Sequence, residues 1–148
     1  AVDLGNAVAG FITGGSVSEE REKQVATINA LNNSIKASLV RELSKAGSNY
    51  TQKQIEKLLP TPNLTNEKFM QRAEALFPKL KDDLANQLWL SGNAKTPKGR
   101  NDAKREADLI NVYITSMTLA IDKYRRSSSG GGGGSLQDQA DAILGSSK

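Results

Sequence analysis

The chain has 148 residues, an apolar share of 37% with aromatics at only 5%, and a formal net charge of +4. That length holds one ordinary domain, and the absence of both histidine and cysteine removes the commonest general base, the commonest metal ligand and all thiolate chemistry. With so few aromatics the core must be filled by Leu, Ile, Val, Ala and Met, so we expect a non-enzymatic, all-α protein: a small bundle of three to four main helices, with no cofactor, no metal and no small-molecule substrate.

Residues 1–15 contain Gly5, Gly10, Gly14 and Gly15, which break regular helix, and are expected to form a flexible glycine-rich arm with at most a short helix around Ala7 to Phe11. They carry Asp3 and lack the basic start of a secretory leader. Within the arm Val8, Ala9, Phe11 and Ile12 are apolar and suit either a strap over the core or insertion into a partner or membrane.

The helical bundle is expected over residues 16–126. Ser16 with Glu19 has the spacing of a capping box, in which hydroxyl and carboxylate each satisfy an unpaired amide. A long helix follows on the stripe Val25, Ile28, Leu31, Ile35, Leu39 and Leu43, with Gly47 as its stop. Thr51 with Gln54 predicts a second capping box and a short helix that Pro60 ends. Thr65 restarts helix with Phe69, Ala73, Leu76, Leu80, Leu84 and Leu88 on one face; Pro78 lies inside that pattern and is expected to kink or split it at Phe77.

Ser91 to Asn101 reads as a loop, with Asn101 the N-cap of the next helix. That helix has the clearest period in the chain: Ala103, Ala107, Ile110, Ile114, Met117, Ile121 and Tyr124, a heptad seam that predicts near-parallel or antiparallel packing on a neighbour. Residues 127–135, SSSGGGGGS, read as a random-coil linker with a reach of about 16 Å. A run of this kind also fits a designed join between a domain and its ligand peptide. Residues 136–148 then give an amphipathic segment with Leu136, Ala140, Ile143 and Leu144 on one side. At about ten residues such a helix is marginal alone and needs a surface to fold against, so these four side chains are the candidate docking residues for its own bundle, a second copy or another protein.

Residues 93–126 hold eight basic and four acidic side chains, an excess that equals the whole net charge. Lys95, Lys98, Arg100, Lys104 and Arg105 form a candidate phosphate-contacting cluster for nucleic acid or an anionic membrane, although no aromatics are interleaved for base stacking. A solvated loop is the plainer reading. Asp82 and Asp83, and likewise Asp102 and Glu106, read as surface salt-bridge partners and not as acid–base pairs.

From Ser44 to Leu84 the positions Thr51, Gln54, Leu58, Leu59, Pro60, Pro62, Thr65, Glu67 and Phe69 follow a layout that resembles internal virion or DNA-ejection proteins of tailed bacteriophages. The tail Ala140-Asp141-Ala142-Ile143-Leu144-Gly145 looks like the ends of such proteins too. The resemblance implies a structural role in a virion or in genome delivery, and it carries no catalytic residue.

Overall fold

The computed structural model describes residues 2–14, 18–45, 47 and 49–131. Among these the chain is all α-helical: α1 (Val2–Thr13), α2 (Ser18–Ser34), α3 (Lys36–Ser44), α4 (Gln52–Glu56), α5 (Asn66–Asn93) and α6 (Pro97–Gly131). Helix α6 is the spine, with α5, α1 and α2 packed on it and α3 on α5.

The heptad seam puts α6 antiparallel to α5. Ala103, Ala107, Ile110, Met117 and Ile121 are buried, while Ile114 and Tyr124 are partly buried against the core. Tyr113, Ser116 and Ala120 are buried as well, so the inward face is wider than a two-helix seam; a helix with several neighbours needs the broader stripe. At the open end of the hairpin Arg125 donates two 2.9 Å bonds to Glu74. The hairpin tip is tighter than expected. Thr96 accepts from the Gly99 amide at 2.9 Å and Pro97 takes the first helical position, where its missing N–H costs nothing. Helix therefore begins at Pro97 and not after an Asn101 cap.

Residues 1–15, expected as a flexible arm, instead supply α1. Val8, Phe11 and Ile12 are buried, and such side chains contribute roughly 1.5–3 kcal/mol each, against about 1 kcal/mol lost per helical glycine at Gly5 and Gly10. Packing wins. Gly5 is needed for contact, since a Cβ there would stand 2.6 Å from Leu119 Cδ2 and 3.0 Å from its Cβ. Gly14, at φ +70°, closes the helix as a left-handed cap, its amide donating to Gly10 and Phe11 carbonyls at 3.2 Å. The glycine that reads as a breaker is a stop signal.

The long second helix divides at Ile35 (φ −108°, ψ 2°). The Ser34 hydroxyl donates to the Leu31 carbonyl at 2.7 Å, taking the acceptor that the Ile35 amide would use; that amide turns to Asn32 at 3.3 Å. Competition of this kind is why Ser and Asn weaken helix interiors. Ile28, Leu31, Ile35 and Leu39 stay buried across the break. Gly47, at φ +94°, follows the end of α3; Ser16, the expected cap of α2, lies outside the described residues.

The box at Thr51 forms in both directions, with the Gln54 amide donating to Thr51 Oγ1 at 3.2 Å and the Thr51 amide to Gln54 Oε1 at 2.8 Å. Thr65 caps α5 by accepting from Lys68. Pro78 is exposed and does not split α5, which runs unbroken from Asn66 to Asn93. The inward face of α5 changes chemistry along its length: beyond Leu80 it is Asp83 and Gln87 that are buried, while Leu88, expected inside, is 57% exposed. Helix α6 runs through Ser127–Ser129 to Gly131, where a linker from residue 127 was expected; residues 132–148 lie outside the described residues.

Candidate functional site

Three features of the surface and core bring chemistry-bearing side chains together. The first is a polar cluster where α3, α5 and α6 meet. Arg41 Nη2 donates to Asp83 Oδ2 at 2.8 Å and to Glu106 Oε1 at 2.7 Å, its Nε lies 3.2 Å from Asp83 Oδ2, and Gln87 Nε2 donates to Asp83 Oδ1 at 3.3 Å. Burial alone would push the Asp83 carboxyl pKa up, but hydrogen bonds from Arg41 and Gln87 and the Arg41 charge outweigh it and hold the group below the usual carboxylate range. An arginine bonded to carboxylates on two other helices suits a lock between elements. Asp83 and Glu106, read as surface salt-bridge residues, are thus a buried and a half-buried anchor on three elements; only Asp82 and Asp102 remain outside that lock. Nearby, Asn32 donates to the Pro60 carbonyl at 3.1 Å and Tyr113 reaches Asn32 Oδ1 at 3.5 Å, tying the α4–α5 connection to the spine. Among the described residues no group of three or more Asp or Glu is placed to hold a metal ion.

The second feature is an open apolar trough of about 500 Å³ between α2 and α6. Ala26, Ala30 and Leu31 form one wall, Leu109 and Val112 the other, Leu4 closes one end, and Arg105 with Asp108 stand on the α6 rim. The trough exists because α2 presents alanines one turn apart, at 26 and 30, beside Leu31: small side chains keep the floor low where a leucine would fill it. Helix α1 packs against both α2 and α6.

The third is the basic tip of the α5–α6 hairpin. Lys98 donates to Asp102 at 2.8 Å, Arg105 lies 3.4 Å from the same carboxylate, and Arg100 Nη1 donates to the Ala94 carbonyl at 2.8 Å. The Lys98 hydrogen bond, above all, lowers the Asp102 pKa. Lys95 and Lys104 are exposed. The five candidate phosphate contacts therefore share one end of the molecule, with three of them engaged locally.

No protein-family model, curated protein or solved structure matches this chain.

The candidate docking residues Leu136, Ala140, Ile143 and Leu144 lie outside the described residues. Sequence reasoning missed the trough, whose only signal was the Ala26/Ala30 step opposite the buried stripe. It also missed Leu88 and Trp89, exposed by 57% and 61%. The signal for Trp89 was available: on a helical period it falls about 160° from Phe69, nearly opposite the core.

Proposed function

We propose that the protein is a non-enzymatic helical interaction module whose trough between α2 and α6 receives an amphipathic helix, and that the segment around Leu136 to Leu144 is such a helix. The observation that carries this reading is the trough itself. Its lining is largely aliphatic, the Thr27 and Ser34 hydroxyls along it are spent on the Lys23 and Leu31 carbonyls, and it is open along two helices; those are the terms of helix-in-groove recognition. Leu136, Ala140, Ile143 and Leu144 follow the i, i+4, i+7, i+8 spacing that such a groove reads, and Asp138 and Asp141 between them are complementary in charge to Arg105 of the trough.

Burying Leu136, Ile143 and Leu144 contributes roughly 1.5–3 kcal/mol per side chain, while ordering a short segment costs about 2–5 kcal/mol, leaving only a few kcal/mol. A single segment would bind in the millimolar range, and Gly131 lies about 28 Å of helical rise beyond Val112, farther than residues 132–135 reach at about 3.6 Å each, so the trough takes the segment of a second copy. The role in a virion or in genome delivery belongs to this proposal through the bacteriophage resemblance alone. Comparing backbone amide shifts of the full chain with those of a chain ending at Gly131 tests the docking. Differences concentrated at Ala26, Ala30, Leu109 and Val112 are expected; spectra that superpose throughout the bundle would refute it.

A further inference from the structure

The last two turns of α5 carry apolar residues on the side away from the core. Ala85, Leu88, Trp89 and Gly92 fall within a sector about 100° wide on a helical period, and all four are exposed, Leu88 by 57% and Trp89 by 61%. A Cβ at Gly92 would meet nothing within 4 Å. Just beyond, the chain turns through residues 94–96 into α6, and Lys95, Lys98 and Lys104 stand exposed. Residues 85–105 carry five basic side chains and one acidic, Asp102, which is already paired with Lys98 and Arg105. By helical rise, Trp89 lies about 6 Å below the end of α5 and Lys104 about 10 Å below the start of α6, so the apolar sector and the basic excess share one tip.

We propose that this hairpin tip docks on an anionic lipid bilayer, with Leu88 and Trp89 entering the headgroup–acyl boundary and Lys95, Lys98 and Lys104 contacting lipid phosphates. This surface is independent of the trough. An indole has an apolar body and one polar N–H, the combination that favours the membrane–water boundary, and lysines bury their stems while keeping the ammonium at headgroup level. The apolar sector is convex and aliphatic as well as aromatic, which suits a deformable phase better than a preformed cleft. Trp89 is the single aromatic between residues 85 and 105, whereas single-stranded nucleic acid is held by successive stacking platforms. No described helix is long and apolar enough to cross a membrane, so the contact is made from one side, by charge and shallow insertion together.

Trp89 is the chain's one tryptophan, so its emission reports this site without a label. The full chain is titrated with phosphatidylcholine vesicles and with vesicles of mixed phosphatidylcholine and phosphatidylglycerol, at low and at high salt. The expected result is a blue shift and quenching by brominated acyl chains with the anionic vesicles at low salt, lost at high salt and absent with phosphatidylcholine alone. Lys95→Glu with Lys104→Glu, both on exposed side chains, should weaken partitioning at least about tenfold, and Leu88→Ser should weaken it with unchanged melting. Unaltered Trp89 emission on anionic vesicles overturns the proposal. So does a response to oligothymidylate without one to vesicles, which would assign the tip to nucleic acid.

Discussion

At the scale of single residues, the buried Asp83 carboxylate sets the terms for its neighbours. Removing Arg41 leaves that charge without its main partner, a loss of about 3–5 kcal/mol for a fully enclosed pair. The Arg41 side chain is 37% exposed, so water replaces part of it, and Arg41→Ala is expected to cost nearer 2 kcal/mol by urea unfolding. The pH dependence has a definite sign. Because the folded pKa of Asp83 lies below its ordinary value, the unfolded chain binds the proton more tightly. Its stabilisation is complete above about pH 5 and drains away as pH falls through the ordinary carboxylate value near 3.9 toward the lower folded one. Asp83→Asn should therefore be less stable at neutral pH yet show a flatter loss of urea midpoint below pH 5; equal slopes would contradict the assignment. Burial pushes the Tyr113 phenol up, out of the range of ordinary tyrosines, and the pairing of Asp83 was not legible in the sequence. The helical period places Asp83 about 40° from Phe69 and Asp82 about 140°, but the partner Arg41 comes from 42 residues before, so only the assembled helices show that Asp83 is paired.

At the scale of elements, helix positions were legible wherever a cap and a period agreed. Thr51, Thr65 and the seam from Ala103 to Tyr124 combine a local hydrogen bond or a steady apolar step with burial, and the structure has helix at each. Thr65→Ala should cost about 1 kcal/mol in a thermal melt, the usual worth of an N-cap. Legibility failed where packing overrides local preference. Helix α1 contains glycines that propensity counts against it, yet Gly5 lets α1 approach Leu119 closely. Substituting Gly5→Ala tests this: in an open helix it would stabilise by up to about 1 kcal/mol, whereas here overpacking should destabilise by roughly 1–3 kcal/mol. The break at Ile35 was hidden for a related reason, since the apolar step continues through it while a serine hydroxyl takes the backbone acceptor.

At the scale of the whole molecule, the described helices leave apolar surface uncovered in the trough between α2 and α6 and at the tip of the α5–α6 hairpin. A short amphipathic helix fits the first, and a charged interface fits the second. The all-α architecture followed from composition and period; the trough did not, because it depends on two alanines of α2 facing α6 across a gap that no single helix encodes. Filling it gives a further expectation: Ala30→Leu should raise the melting temperature of a chain ending at Gly131 by adding apolar contact, while displacing the tail from the full chain. The most direct test of the docking account uses the absence of native cysteine. Ala30→Cys paired with Ile143→Cys in the full chain should form a disulfide rapidly under mild oxidation, between two chains, and Ala85→Cys paired with Ile143→Cys, on the far face of α5, should not. Equal trapping at both positions, or none at Ala30, would contradict it.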